Sequence, residues 1–184
     1  MDASPSVFDF CWKALDFSLP VTDGKTVSFA DIQGARGTLV IFMCKHCTYE
    51  RSVLDRTLQS ASDLRELGIS VVTISANDAD AFPKDGLREM VALARQPDFL
   101  MPYLHDETQS VAKAYGAVCT PDFIAFDSGR SLQYRGRPDA SLKQAGPYDL
   151  RRDLYLAMKQ VAKTGQGPQN QIPSMGCSIK WKEA

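Results

Sequence analysis

Two short apolar runs enclose a helical segment in the first half of the chain, and this arrangement limits the possible folds more than any other feature. Residues 38–43 and 69–74 are rich in Val and Ile and have the length of strands that are buried on both faces. Between them, apolar residues recur at helical spacing from Thr48 to Leu67, and Gly68 marks the end of the helix. The sequence therefore predicts a strand–helix–strand unit with parallel strands and a right-handed crossover.

The second half of the chain supplies elements that complete one layered domain. Helices are predicted at residues 87–95, 107–115 and 149–163. Residues 123–126 and 132–135 flank a Ser-Gly turn and predict an antiparallel hairpin. A parallel strand–helix–strand unit, a hairpin and a closing helix form the plan of the thioredoxin fold, an α/β architecture with a central mixed sheet flanked by helices.

The ends of the chain add to this plan. The Asp23-Gly24 turn between residues 17–19 and 26–28 predicts an added N-terminal β-hairpin. A length of 184 residues with 44% hydrophobic composition suits one packed core. The predicted organisation is an arm at residues 1–12, a thioredoxin-like domain at 13–164 and a C-terminal tail at 165–184.

Charge and hydropathy exclude several classes of partner. Lys and Arg total 21 against 22 Asp and Glu, a net charge of -1 that lacks the positive excess needed to bind nucleic acid. The sequence has no unbroken apolar stretch of about 20 residues that would cross a bilayer. Asp2 also stands where a secretory signal carries basic residues, so we expect a cytoplasmic protein with no membrane or nucleic-acid partner.

Cys44 and Cys47 lie where the first buried strand gives way to the helix. Unpaired N–H groups and the helix dipole favour a thiolate there, and Cys-x-x-Cys pairs in this setting reach pKa values near 7 or below, against about 8.5 for a free thiol. Two intervening residues keep the sulfurs close enough to form a disulfide. We expect dithiol–disulfide exchange, with Cys44, nearer the helix start and less buried, as the nucleophile and Cys47 as the resolving thiol.

Lys45 and His46 separate the two cysteines and are expected to tune them. A cationic group near a thiolate stabilises the reduced form relative to the disulfide. These two residues therefore predict a rather oxidising pair, with a reduction potential above the roughly -270 mV of thioredoxin.

Two other interpretations of the cysteine pair stay open. A Cys-x-x-Cys sequence also forms half of a structural zinc site, but the only further candidates are the scattered Cys119, Cys177 and His105. Two core cysteines also occur by coincidence. The strand-to-helix position favours redox chemistry, and no metal or cofactor is expected.

Several motifs in the chain resemble one group of proteins. They lie at residues 42–47, 104–109, 111–117, 119–123 and 176–181. Together they are similar to the thioredoxin-like, peroxiredoxin-like branch of the redoxin superfamily, which includes alkyl hydroperoxide reductase and thiol-specific antioxidant proteins. The resemblance runs from about Leu15 to the end and implies a thioredoxin fold with thiol–disulfide exchange or related peroxide chemistry.

The resemblance also implies a substrate-binding loop. Thr120-Pro121 resembles the cis-proline loop that faces the cysteine turn in thioredoxin-like proteins. The Thr120 backbone is then expected to pair with an extended substrate segment. The alternative is an ordinary trans proline that opens a strand.

Peroxide chemistry requires parts that the chain does not carry. In the peroxiredoxin register, Cys47 matches the reactive cysteine and Glu50 follows it as in that family. Cys44 then replaces the threonine, Val40 replaces the proline, and Pro121 stands near the position of the arginine. Disulfide exchange is therefore preferred, on a protein or small-molecule disulfide with a thiol electron donor. Peroxide reduction and a non-catalytic redox sensor remain alternatives, and a monomer and a homodimer are equally compatible with the sequence.

The remaining cysteines have less certain roles. Cys119 precedes Pro121 by two residues and is either a buried structural thiol or an additional redox group. Cys177, which the resemblance includes, precedes Ile179-Lys180-Trp181 in the tail. It is either a second resolving thiol or part of a tail that Ile179 and Trp181 anchor. Cys11 has no predicted role, and His105 is interpreted as loop scaffolding.

The buried acid that assists proton transfer in thioredoxins has no counterpart at the comparable position. Thr38, six residues before Cys44, occupies that place. The sequence therefore leaves the proton acceptor unassigned.

Overall fold

The computed structural model describes residues 2–3, 10, 12–147 and 149–183, so Cys11 lies outside the described residues. The strands are β1 (Asp2–Ala3), β2 (Ser18–Pro20), β3 (Thr26–Ser28), β4 (Gly37–Phe42), β5 (Ile69–Ser75), β6 (Tyr103–His105), β7 (Cys119–Thr120), β8 (Asp122–Asp127), β9 (Leu132–Arg135) and β10 (Gly176–Ser178). The α-helices are α1 (Phe29–Ile32), α2 (Thr48–Glu66), α3 (Leu87–Ala94), α4 (Ser110–Ala114) and α5 (Asp153–Thr164), and Pro83–Asp85 forms a 3-10 turn.

Five strands form the central sheet, in the order β6-β5-β4-β8-β9. Strand β4 pairs in parallel with β5, with Gly37 opposite Ile69, and antiparallel with β8, with Gly37 opposite Asp127. All six residues of β4 are buried, as its continuous apolar run predicts. The mixed sheet flanked by helices confirms the thioredoxin-like fold.

Side chains that alternate across β4 divide the core into two layers. Val40 and Phe42 pack in one layer with Leu19 of the N-terminal hairpin. Leu39 and Ile41 point to the other layer, where they join apolar residues of α2, α3 and α5. Helix α2 is therefore fixed against the sheet directly after the cysteine turn.

Most predicted elements are confirmed with small shifts at their ends. The hairpin of β2 and β3, the hairpin of β8 and β9, and helices α2 and α3 lie where the sequence predicts them. Helix α5 begins at Asp153, later than the predicted residue 149. The preceding chain forms a turn in which the Leu150 N–H donates to the Pro147 carbonyl at 3.1 Å.

Helix α4 is shorter than the predicted 107–115. The Asp106 carboxylate accepts the N–H of Ala112 at 2.8 Å, and Gln109 has a left-handed φ of 62°. Residues 107–109 therefore form a turn, and the helix starts only at Ser110. A local side-chain hydrogen bond has replaced the first helical turn.

The C-terminal tail packs on its own chain as part of a small antiparallel sheet, ordered β1-β10-β7, that the sequence did not predict. Ile179 is buried in the core, and the Lys180 carbonyl accepts hydrogen bonds from Asp78 N and Gln109 Nε2, each at 2.8 Å. Trp181 is 38% exposed and lies under the Lys113 ammonium. Burial of Ile179 and the hydrogen bonds of Lys180 thus hold the tail on the domain. No helix in the described ranges is long and apolar enough to span a membrane.

Candidate active site

Cys44 and Cys47 lie in the turn between β4 and α2, at the carboxyl end of a central strand. Both are free thiols, with exposed fractions of 4% and 3%. Residues 45–46 form a turn, so α2 begins only at Thr48 and Cys47 is its N-cap residue. The expectation that Cys44 is nearer the helix start is therefore wrong, and the two thiols are buried to nearly the same extent.

Thr120 contacts both sulfur atoms from the opposite side of the site. Its Oγ1 lies 3.1 Å from Cys44 Sγ, and its carbonyl oxygen accepts a hydrogen bond from the Cys47 thiol at 2.9 Å. The Thr120–Pro121 peptide bond is cis, as the resemblance implies, and the trans alternative is excluded. The structure thus brings together Cys44, Cys47, Thr120 and Pro121.

The backbone edge at Thr120 is already paired within the chain. Cys177 of β10 lies opposite Thr120, and Ser178 lies opposite Cys119, in antiparallel register. An extended substrate segment can pair with Thr120 only after the tail has left this edge. The tail therefore occupies the place that the resemblance implies for a substrate.

Electrostatics favour Cys47 over Cys44 as the thiolate of the reduced pair. Hydrogen bonding from the Cys44 thiol lowers the pKa of Cys47 to about 5, against the opposing effect of burial, and the Cys177 thiol lowers it further. The same contact with Cys47, together with burial, raises the pKa of Cys44. Burial and the Thr120 carbonyl oxygen favour the protonated form of Cys47, and the interactions with the two neighbouring thiols and the helix N-terminus outweigh them.

Lys45 and His46 are held by carboxylates of the segment that precedes and begins α3. Lys45 Nζ lies 2.6 Å from Glu89 Oε2, and His46 Nδ1 lies 3.2 Å from Asp85 Oδ1. Neither side chain is in hydrogen-bond contact with Cys44 or Cys47 in the described chain. The carboxylates of Glu89 and Asp85 therefore offset the positive charge by which Lys45 and His46 were expected to stabilise a thiolate.

Glu50 is a functional candidate that the sequence analysis did not assign. Its side chain is 1% exposed, and both carboxyl oxygens have no hydrogen-bond partner in the described residues. Burial raises the pKa of Glu50 well above its usual range, and the charge of Cys47 raises it further. Burial therefore favours the neutral form of this carboxylic acid, which lies in the first turn of the helix that follows the reactive pair.

The sequence does contain a signal for this burial. Glu50 lies on the helical stripe that continues through Val53, Thr57, Ala61 and Leu64, all of which are buried. A charged residue in line with an apolar stripe is either at the solvent edge or a buried functional group. Only the packing of α2 distinguishes the two.

The other candidates occupy distinct places. Cys177 is half-buried and packs against the cluster of Cys44, Cys47 and Tyr49. Cys119 is fully buried, and burial strongly raises its pKa, which suits a structural thiol. His105 is the last residue of β6 and lies opposite Ser75 of β5, and burial lowers its pKa.

Among the residues that the structure describes, neither a metal cluster nor an arginine hydrogen-bonded to a sulfur lies at the cysteine pair. Within the described residues, no group of three or more His, Cys, Asp or Glu side chains is arranged to hold a metal ion. Arg135, the arginine at the Pro121 loop, bonds to Asp122 Oδ2 and to the Gly116 carbonyl, each at 2.7 Å. It therefore does not act as a donor to either sulfur.

A small cavity lies beside the cis-proline loop. It has a volume of about 130 Å³ and lies between Tyr49, Pro121 and the tail residues 173–175. Cavities that bind cofactors or drug-sized ligands usually measure about 300–1,000 Å³. This cavity has room for one side chain of a substrate rather than for a cofactor.

Comparison with known protein families identifies the family of the chain. The model of the AhpC/TSA family matches residues 12–136, which include the cysteine turn, Thr120 and Pro121. The chain belongs to the AhpC/TSA family. This membership supports a thiol redox function for the AhpC/TSA protein and indicates an oxidoreductase.

Solved structures support the same assignment of the fold. An uncharacterised conserved protein from Geobacillus kaustophilus is 35% identical, with a TM-score of 0.93 over 100% of this chain and 98% of that chain. A hypothetical protein from Sinorhizobium meliloti is also 35% identical, with a TM-score of 0.92 over 98% and 99%. A putative thiol:disulfide interchange protein from Chlorobium tepidum shares only the fold, at 18% identity and a TM-score of 0.61 over 85% and 99%. No curated protein sequence matches the AhpC/TSA protein.

Proposed function

We propose that the protein is a thiol–disulfide oxidoreductase that works by exchange between the Cys44–Cys47 dithiol and its disulfide. The observation that carries the proposal is the position of Thr120, whose hydroxyl oxygen contacts Cys44 Sγ and whose carbonyl oxygen contacts Cys47 Sγ. One residue thereby holds both sulfurs on the same side of the site. The substrate is a disulfide of a protein or small molecule, and a thiol serves as the electron donor.

Cys47 takes the role of attacking thiolate in this proposal, in place of Cys44. Its pKa of about 5 makes it almost fully ionised at pH 7. Attack on a disulfide sulfur forms a new S–S bond to Cys47 and releases one thiolate. Cys44 then attacks Cys47 Sγ, which closes the Cys44–Cys47 disulfide and releases the second thiolate.

Glu50 donates a proton and later takes one up during these reaction steps. While Cys47 is a thiolate, its charge keeps the Glu50 carboxyl group protonated. Once Cys47 is bonded to another sulfur, that charge is gone, and Glu50 donates its proton to the released thiolate. The resulting carboxylate then accepts the proton of the Cys44 thiol as Cys44 attacks, so the acid is regenerated.

Peroxide reduction is the second candidate, favoured by AhpC/TSA membership and by the low pKa of Cys47. A peroxide needs directed donors that stabilise its leaving oxygen. Arg135 is engaged by Asp122, and the threonine of the peroxidase motif is replaced by Cys44. We therefore expect slow turnover of peroxide.

A side-by-side assay tests the ranking. Purified protein with a thiol donor is compared for reduction of insulin or a small disulfide and for consumption of hydrogen peroxide. The proposal predicts faster disulfide reduction, lost in both Cys44→Ser and Cys47→Ser. Rapid peroxide turnover with untouched disulfides contradicts it.

A further inference from the structure

We infer that Cys177 is a third redox thiol, which passes disulfide exchange between external substrates and the buried Cys44–Cys47 pair. This inference rests on the proposed dithiol exchange and names the sulfur through which that exchange reaches the outside. Cys44 and Cys47 have exposed fractions of only 4% and 3%, whereas Cys177 is half-buried. A substrate sulfur therefore meets Cys177 before it meets either thiol of the pair.

The geometry places Cys177 in contact with the attacking thiolate. It packs on the cluster that contains both Cys44 and Cys47, and its Sγ lies 4.0 Å from the hydroxyl oxygen of Thr48, at the first position of α2. Its interaction with Cys47 also lowers the pKa of that thiol. Cys177 is therefore the nearest thiol of the tail to the buried pair.

The backbone register shows that this position is built into the fold. Strand β10 sets Cys177 opposite Thr120, the residue that contacts both sulfurs of the pair. Gly176 makes this register possible, because a Cβ atom there would overlap the carbonyl group of Thr120. Ile179 N donates to the Val118 carbonyl at 3.0 Å, which continues the same antiparallel pairing beyond the end of β10.

The tail thus lies on the protein as an extended substrate would. It adds a strand at the edge beside the cis-proline, and it carries a cysteine at the residue that faces the site. A disulfide between Cys47 and Cys177 is the internal equivalent of a mixed disulfide with substrate.

The chemistry balances with a disulfide as the oxidant. Cys177 gives its proton to the Cys47 thiolate and attacks the external disulfide, which forms a mixed disulfide on Cys177 and releases a thiolate. That thiolate takes the proton from Cys47. The Cys47 thiolate then attacks Cys177 Sγ, forms the Cys47–Cys177 bond and releases the second external thiolate, which is protonated from solvent.

The last step transfers the disulfide to the buried pair. Cys44 attacks Cys47 Sγ while Glu50 gives its proton to the departing Cys177 and takes up the proton of Cys44. The Cys44–Cys47 bond forms, and Cys177 leaves as a thiolate that takes up the proton of Glu50. The external disulfide has been reduced to two thiols, and the protein has been oxidised to one disulfide. A thiol donor reduces the protein by the reverse steps.

Mapping of disulfides by mass spectrometry in Cys44→Ser tests the inference, because this variant lacks the thiol needed for the last step. After reaction with oxidised glutathione, a Cys47–Cys177 disulfide is expected to accumulate. The double variant Cys44→Ser/Cys177→Ser is expected to hold glutathione on Cys47 instead. A Cys44→Ser protein with glutathione on Cys47 and a free Cys177 thiol overturns the inference.

Turnover gives a second measurement, which separates this inference from the proposed function. Cys177→Ser is expected to reduce small disulfides at least tenfold more slowly than wild type, while the control Ser178→Ala on the same strand keeps the wild-type rate. Wild-type turnover by Cys177→Ser overturns the relay but leaves dithiol exchange standing. Absence of turnover in the wild type contradicts the proposed function, whereas the mapping in Cys44→Ser still reports on the relay.

Discussion

Glu50 and Cys47 are electrostatic neighbours: burial without a hydrogen-bond partner in the described residues raises the pKa of Glu50, and the negative charge of Cys47 raises it further. Burial of such a group without a partner costs stability. The cost is consistent with a group that exchanges protons with the cysteine pair. The protonation of Glu50 therefore depends on the charge of Cys47.

Glu50→Gln removes the proton donor and acceptor while it keeps the size and neutrality of the resting side chain. We expect the rate of disulfide turnover at pH 7 to fall by about 10²-fold, the lower end of what a positioned acid–base group contributes. The measurement is the pH profile of turnover. Glu66→Gln at the other end of the same helix is the matched control. An unchanged rate and profile in Glu50→Gln would exclude Glu50 from proton transfer.

The same residue makes folding stability depend on pH. Because the folded pKa of Glu50 lies above its unfolded value of about 4.3, the folded chain holds more protons than the unfolded chain between these two values. The contribution of Glu50 to the free energy of unfolding is fully present below about pH 4.3. It falls as pH rises, by up to about 1.4 kcal/mol per pH unit. Denaturant unfolding compared at several pH values should show this slope in wild type relative to Glu50→Gln. Parallel curves for the two proteins would contradict the account.

Thiolate character is expected to belong to Cys47. The ultraviolet absorbance of thiolates in the reduced protein should titrate near pH 5, and Cys47→Ser should abolish this transition. Cys44→Ala should move the transition upward toward the pKa of a free thiol, because it removes the principal hydrogen-bond donor to Cys47. Cys119→Ala serves as the control, since this buried thiol donates to the Pro121 carbonyl rather than to either sulfur of the pair. A low-pH transition that survives in Cys47→Ser would assign the thiolate elsewhere.

The ion pair of Lys45 with Glu89 should limit how oxidising the cysteine pair is. Glu89→Gln leaves the ammonium of Lys45 without its counter-ion at 2.6 Å and makes its charge available to the reduced site. We expect the reduction potential to rise, most at low ionic strength, since exposed charges are screened by salt. Equilibration with glutathione mixtures measures it. An unchanged or lower potential would show that Lys45 does not act on the pair, and a wild-type value near the roughly -270 mV of thioredoxin would contradict the predicted oxidising character.

Gly176→Ala should displace the tail strand from the cis-proline loop. The added methyl group overlaps the Thr120 carbonyl, so β10 must move or its hydrogen bonds must break. We expect a loss of about 1–3 kcal/mol in unfolding free energy and faster hydrogen exchange at residues 119–120 and 176–178. Ser178→Ala should change neither quantity appreciably. Unaltered exchange in Gly176→Ala would contradict the close approach.

The sequence predicts the elements that carry strong periodicity. The buried run of β4, the helical spacing of α2 and the turn between β8 and β9 each identify an element from local residues alone. The carboxylate partners of Lys45 and His46 are less predictable, because Glu89 and Asp85 come from a distant segment of the chain. The turn at these two residues leaves Cys47, rather than Cys44, at the start of the helix.

The pairing of the C-terminal tail with β7 is not predictable from the sequence, for a different reason. Strands β7 and β10 have only two and three residues, too few to show an alternating pattern. Their pairing depends on the close approach of Gly176 to Thr120, which the fold alone creates. The sequence consequently leaves open whether Cys177 faces the site, and the three-dimensional structure places it beside Cys47.

The stoichiometry of one oxidation tests dithiol exchange most directly. Fully reduced protein is treated with excess oxidised glutathione, quenched by acid, and analysed by mass spectrometry together with the released thiol. The account predicts two glutathione thiols released per chain and a Cys44–Cys47 disulfide as the stable product. Persistence of both cysteines as free thiols, in a protein that hydrogen peroxide oxidises rapidly, would contradict it.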